Sequence, residues 1–274
     1  MTPVPGTIAA TIRAFDRLAP RYDEACAGWI FRRMRDQVHA ALGEAFEPGM
    51  RVLEIGCGSG LDAEFLASRG VDVVATDPSA GRIERARRRM RAARGAGRVQ
   101  FVCCGIEEVH LHLAPGARFD GLVSDFGALN CVARLDALGS LAARHVAPRG
   151  RVILCLISPA CLLELGWFLL KGQPRRAFRR FATPPVAVNV EGIDVPTYYH
   201  RVRDVRTALE PAFALRRVRG LAVLVPPSYL ETRWTALPAP ARRALAGVDR
   251  ALASRWPFNR LGDHVMMEFE NLRI

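Results

Sequence analysis

Residues 51–60 read Arg-Val-Leu-Glu-Ile-Gly-Cys-Gly-Ser-Gly, a short apolar run that closes on an acid and then on three glycines at alternate positions. A run of that length, ended so abruptly, predicts a buried strand turning straight into a helix. A side chain at Gly56, Gly58 or Gly60 would hold a ligand away from the loop backbone. Past the last of these glycines, Val71-Asp-Val-Val-Ala-Thr76 ends in a second acid, Asp77. As the neighbouring parallel strand, it brings a carboxylate able to accept two hydrogen bonds from a ribose diol. The pair predicts a doubly wound α/β sheet with an adenosine-containing ligand across its strand ends. A tight turn without a ligand is the plainer alternative. The dinucleotide fingerprint GxGxxG fails, because Leu61 stands where its third glycine belongs.

The rest of the chain continues the alternation. Strand-like runs at about 51–56, 71–76, 99–104, 119–125 and 151–157 are separated by helical patterns at 60–69, 79–94 and 133–146, as in a parallel sheet covered on both faces. Ser79 is placed to cap one of these helices, and Glu84 with Arg88 gives it a supporting i,i+4 pair. Upstream, Ile8, Ile12, Phe15, Trp29, Ile30, Met34, Val38 and Ala41 recur at helical spacing and predict a helical cap over 1–45 in front of the sheet. Residues 152–170, VILCLISPACLLELGWFLL, approach the length of a membrane span. Pro159 and Glu164 interrupt them, so they divide into a strand, a turn at Ser158-Pro159 and a helix from about Ala160. Downstream, 201–210 reads as helix, 213–225 as a long strand, 228–254 as largely helical and 264–270 as a last strand.

Five segments carry a resemblance to class I S-adenosylmethionine-dependent methyltransferases of the small-molecule type. They are VLEIGCGSG, VDVVATDPS, the segment Phe15-Asp-Arg-Leu-Ala-Pro-Arg-Tyr22-Asp23, similar to FDxxAxxYD, and Phe119-Asp-Gly-Leu-Val-Ser-Asp125 followed by Ala-Pro-Arg-Gly-Arg-Val-Ile-Leu, similar to LxPGGxLL. The resemblance implies a Rossmann-like sheet of about seven strands with an antiparallel last strand, to which this chain adds its helical N-terminal cap and, in residues unusual for the minimal fold, an insertion after strand five. It implies one domain over 1–274, divided into a cap (1–45), a cofactor core (46–158), an insertion acting as acceptor lid (159–198) and closing elements (199–274). It also implies S-adenosylmethionine as cofactor. Gly56, Cys57, Gly58 and Gly60 would admit its methionine part, with Tyr22 over the site. Glu54 would organise the loop, Asp77 would take the ribose hydroxyls, and Pro78 would stand beside the adenine. Arg82 occupies a position where relatives often carry methionine, and could lie over the adenine as a cation–π partner. Cys104-Gly105-Ile106-Glu107 lacks the relatives' aspartate, leaving the Ile106 amide. Asp125, Phe126 and Asn130 follow strand four, where acceptor and methyl group meet.

The same segment bears on the acceptor. Ser124-Asp-Phe-Gly lacks the [DNS]PP[YF] tetrapeptide of exocyclic-amine methylation and the Pro-Cys nucleophile of C5 methylation, which argues against a nucleobase. The formal charge of +12 admits nucleic acid, anionic lipid or an acidic carrier. Lys171 is the only lysine beside 38 arginines, a skew better explained by codon bias than by phosphate recognition. The expectation is O- or N-methylation of a small, partly apolar metabolite, a natural-product or secondary-metabolism intermediate. RNA or protein methylation and a non-catalytic cofactor-binding subunit remain alternatives.

In the insertion, Trp167, Phe168 and Arg176 are candidate acceptor contacts within a basic segment of interleaved aromatics. Peripheral membrane contact and a dimer interface are the competing uses, so monomer and homodimer are both admitted. Tyr199 and His200, just beyond, are the candidate acid–base groups. Seven cysteines form no CxxC pair, the N-terminus with Pro3 and Pro5 lacks the pattern of a signal peptide, and a cytoplasmic location is expected. His110 and His112 alternate as in an extended segment without partner ligands, so no metal site is expected.

Overall fold

In the computed structural model, which describes residues 5–273 apart from 94, 96, 183 and 184, the chain enters through helices α1 (Pro5–Leu18), α2 (Tyr22–Ala25) and α3 (Trp29–Ala45). It then alternates β1 (Arg51–Ile55), α4 (Leu61–Ser68), β2 (Asp72–Asp77), α5 (Ala80–Ala92), β3 (Val99–Cys103), α6 (Val109–His112), β4 (Phe119–Ser124), α7 (Asp136–His145) and β5 (Val146–Ile157). Two helices, α8 (Leu162–Leu170) and α9 (Pro174–Ala177), lead to a hairpin of β6 (Val186–Val190) and β7 (Ile193–Thr197). The chain closes with α10 (Val202–Leu209), β8 (Phe213–Leu221), α11 (Glu231–Thr235), α12 (Ala239–Leu252) and β9 (His264–Asn271). Pro3 and the Thr183–Pro184 break lie outside the described residues.

The main sheet runs β3-β2-β1-β4-β5-β9-β8. Its first five strands are parallel, and β9 inserts antiparallel between β5 and β8, with Arg151 opposite Glu270 and Ile157 opposite His264. Alternation along the central strands sends side chains to two cores. Leu53, Leu122, Leu154 and Met267 meet Leu138 and Leu141 of α7 and Val205 of α10. Val52, Val123, Ile153 and Met266 meet Ile30, Met34, Val38 and Leu42 of α3 and Leu66 of α4. Helix α3 is therefore a covering layer of the sheet, and only the stretch before it stands as a cap over the strand ends. Ser79 caps α5 through the Arg82 amide at 3.2 Å, and Glu84 pairs with Arg88.

Three sequence expectations are corrected. Strand β8 stops at Leu221 rather than 225, because Ala222 turns to φ +53° and the Val223 and Leu224 amides both donate to the buried carboxylate of Asp249 at 2.7 Å. Strand β5 begins earlier than 151: Val146 pairs with Phe119, a register shift follows, and Asn271 binds the Val146 and Ala147 carbonyls at 3.0 Å. His110 and His112 are exposed on a single helical turn anchored by the buried Val109, not on an extended segment. The apolar stretch 152–170 divides at Ser158 as expected, and no described helix is long and apolar enough to cross a membrane.

Candidate functional site

The turn out of β1 is held against β2 by its own backbone: the Gly56 and Cys57 amides donate to the Thr76 carbonyl at 2.7 and 2.9 Å. Gly56, Gly58 and Gly60 all take positive φ, +73°, +56° and +78°, the region that side chains resist. A Cβ at Gly56 would also collide with Ala128, and one at Gly60 would stand 2.9 Å from the Ala86 Cβ. Asp77 ends β2 beside this loop. Its carboxylate accepts the Gly58 amide at 3.0 Å and the Ser79 amide at 2.9 Å. Burial raises its pKa above the ordinary carboxylate value, against the pull of Arg82.

The cap is fastened to the same loops by the two acids of its FDxxAxxYD-like segment, Asp16 and Asp23. Asp16 accepts from the Ser79 hydroxyl at 2.6 Å and the Gly81 amide at 3.0 Å. Asp23 accepts from the Ser59 hydroxyl at 2.6 Å and from Arg85 and Arg89. Between these anchors the Arg82 guanidinium lies 4.1 Å from the Phe15 ring, 4.6 Å from the Tyr22 ring and 3.7 Å from Asp77. The aromatic faces that this arginine meets thus belong to the protein's own cap.

A cavity of about 400 Å³ opens over these strand ends. Its lining includes Tyr22, Gly56, Asp77, Pro78, Arg82, Ile106, Asp125, Phe126 and Asn130, all of them sequence candidates. Glu54, Cys57, Gly58 and Gly60 stand behind that wall, in the strand and turn that support it. It also includes apolar walls from Ile8 and Ile12 of α1 and Val188, Val190, Val195 and Pro196 of the hairpin, on which α1 packs. The sequence candidates missed these walls. The alternation Val186-Ala-Val-Asn-Val190 was the available signal, since period two puts its valines on one face.

Beneath the cavity lies a buried polar nest. Arg35 of α3 donates to Asp62 at 2.8 Å, His39 meets the same oxygen at 2.7 Å, and the Arg35 guanidinium covers the Phe126 ring at 4.4 Å. Burial alone would lift the Asp62 pKa, but Arg35 and His39 outweigh it and hold the carboxyl ionised. Glu54 and Asp125 lack such partners. Both Asp125 oxygens and Glu54 Oε2 are buried without a hydrogen bond. Burial first, and then the charge on Asp62, pushes both well above the ordinary carboxylate range. Phe126, which follows, takes φ +50°. Unpartnered acids beside a loop of free backbone approach fit a ligand that brings N–H donors and positive charge, and so fit the aminoacyl and sulfonium end of S-adenosylmethionine.

Other candidates fall elsewhere. Asn130 lines the cavity, yet its amide is committed to backbone, donating to the Ile157 and Tyr198 carbonyls and accepting the Ile157 amide at 2.9 Å. Tyr199 and His200 do not line the cavity. The Tyr199 ring lies under Arg180 at 5.6 Å, and His200 Nε2 is 2.8 Å from the Val132 carbonyl. Trp167, Phe168 and Arg176 are also absent from the lining. Helices α8 and α9 pack on each other outside it, with Arg176 over the Phe168 ring at 5.4 Å. Only the hairpin of the expected 159–198 lid reaches the cavity. The donor atoms of Cys161, Glu164 and Asp263 converge nearby, but the Arg180 guanidinium already supplies the positive charge there, 2.5 Å from Glu164 and 2.7 Å from Asp263.

Residues 52–150 match the family model described as a methyltransferase domain. The chain is 31% identical over 170 residues to the demethylmenaquinone methyltransferase of Clavibacter sepedonicus, covering 60% of this chain and 64% of that one. It is 30% identical over 146 residues to the ubiquinone biosynthesis O-methyltransferase of a Bradyrhizobium strain, covering 50% and 54%. The matches thus span between about half and two thirds of these curated relatives. A solved structure from Listeria monocytogenes, described as an S-adenosylmethionine-dependent methyltransferase, superposes with a TM-score of 0.59 at 16% identity, covering 87% of this chain and 98% of that one. The strand order and the glycine turn after β1 are thus those of the Rossmann-like methyltransferase fold, and within it residues 52–150 match a methyltransferase domain.

Proposed function

We propose that this chain transfers a methyl group from S-adenosylmethionine to an oxygen or nitrogen of a small, partly apolar acceptor. The observation that carries the reading is the mixed lining of the cavity, which combines the glycine turn and Asp77 with apolar side chains of α1 and the hairpin. When bound, the cofactor supplies a methyl group on a sulfonium, whose transfer needs alignment and dryness more than acid–base help. Gly56, Gly58 and Asp77 would hold it at the strand ends. Asp125 and Glu54, ionised in its presence, would balance its positive charge. Ile12, Val188, Val190 and Val195 would exclude water and grip the apolar part of the acceptor. Neither Tyr199 nor His200 lines the cavity, so no general base is assigned to them. The absence of a proline-bearing tetrapeptide after β4 supports a small acceptor over a nucleobase. Relatives named for demethylmenaquinone and ubiquinone biosynthesis make quinone-class acceptors the first to try.

The test has two parts. Calorimetry should detect S-adenosylhomocysteine binding and none of NAD. Tritiated methyl transfer into a small-molecule extract, total RNA and total protein should then label the small-molecule fraction. Label chiefly in RNA or protein overturns the acceptor class, and no label anywhere with intact cofactor binding reduces the chain to a binding module. Val195→Asp, with its charge on the apolar wall, should raise the acceptor KM while leaving S-adenosylhomocysteine affinity unchanged.

A further inference from the structure

Helices α8 and α9 are joined through Gly172 and clasped to the body by Arg180, which binds Glu164 and Asp263 and donates to the Ser158 carbonyl at 2.9 Å. The clasp leaves an outer edge of mixed character. Leu170 is 89% exposed, and Leu169, Phe178 and Phe181 are each about half exposed. Lys171, Arg175 and Arg176 are exposed around them. No acidic residue occurs between 165 and 182. Arg179 and Arg180 both pair with Glu164, whereas Lys171, Arg175 and Arg176 form no ion pair among the described residues.

Exposed large apolar tips rimmed by unpaired cations complement a surface that is negatively charged outside and apolar beneath. A second copy packed by two-fold symmetry would set the same cations against themselves. A nucleic acid would match the charge and stack on the phenylalanines, but it would leave Leu169 and the 89%-exposed Leu170 without a partner. The foot of this unit, not its outer edge, adjoins the cavity: Ile157 lines it before α8, and Tyr198 lines it next to Tyr199, which lies under Arg180.

We propose that this edge, Leu169, Leu170, Phe178 and Phe181 with Lys171, Arg175 and Arg176, docks the protein onto an anionic lipid bilayer. The inference does not depend on the acceptor proposed above.

Flotation of the full chain with vesicles of equal parts phosphatidylglycerol and phosphatidylcholine, against pure phosphatidylcholine, tests it. The protein should float with the anionic vesicles at about 0.1 M salt and release at about 0.5 M, where surface charge is screened. K171Q/R175Q/R176Q should weaken binding about a hundredfold, from about fivefold per cation near an anionic surface. L170D/F178D should abolish it. Unchanged S-adenosylhomocysteine binding and thermal unfolding certify each variant's fold. A charge-matched triple on α5, R87Q/R88Q/R91Q, should lose little. Equal binding to neutral vesicles, equal loss from both triples, or an undiminished α8–α9 triple each overturns the proposal. So does a dimer in sedimentation that L170D dissociates, if vesicle binding is absent.

Discussion

Arg180→Ala removes the cation from a buried cluster, and its cost follows from what stays behind. Arg180 is 6% exposed and donates to Glu164 at 2.5 and 3.1 Å, to the Asp263 carboxylate at 2.7 Å, and to the Ser158 and Asp263 carbonyls at 2.9 and 3.1 Å. Truncating one partner of a buried ion pair costs about 3–5 kcal/mol, because the other charge stays buried and uncompensated. Here each carboxylate keeps one neighbour: Arg179 stands 2.8 Å from Glu164, and His264 stands 3.2 Å from Asp263. The lower end, about 3 kcal/mol, is therefore expected, a loss of about 1 M in urea midpoint if the slope is about 3 kcal/mol/M. Burial opposes the charge on Asp263, but His264 and Arg180 hold its carboxyl well below the ordinary carboxylate range. A depressed folded-state pKa contributes stability above the unfolded value, about 3.9, that is lost as pH falls toward the folded one. The wild-type advantage over Arg180→Ala should thus be full at pH 7 and shrink below about pH 4. Urea unfolding of both proteins at pH 7 and pH 3.5 measures it. A loss under about 1 kcal/mol at pH 7, or a gap that does not narrow in acid, refutes the reasoning.

Asp77→Ala should weaken S-adenosylhomocysteine binding by about 1.5–3 kcal/mol in calorimetry, the scale for hydrogen bonds to a charged group. Because burial raises the Asp125 pKa, the free protein should lose stability as pH rises above the unfolded carboxylate value of about 3.9, and Asp125→Asn should lose less in thermal unfolding. The same variant should bind S-adenosylmethionine more weakly at pH 8, where the native carboxylate would balance its charge. Gly60→Ala, forced to φ +78° with its Cβ against Ala86, should destabilise by about 2 kcal/mol in chemical unfolding.

What the sequence by itself determined is local. The alternation of apolar runs with glycine, proline and capping residues located all five parallel strands, the split at Ser158 and the closing strand. The glycines of 56–60 and Asp77 declared a ligand edge because backbone conformation and a strand-end carboxylate are properties of short segments. What only the tertiary structure decided depends on which distant surfaces meet. Asp16 and Asp23 stand in the FDxxAxxYD-like segment, but their partners Ser79, Gly81, Ser59, Arg85 and Arg89 are legible only in the fold. The aromatic, basic stretch after Pro159 looked like an acceptor lid, yet the Glu164–Arg180–Asp263 cluster turns α8 and α9 outward and gives the cavity wall to the hairpin valines. Asp125 stands unpartnered because α3 delivers Arg35 to Asp62 instead. Nothing local in the sequence sets that competition between carboxylates for one buried cation; packing settles it.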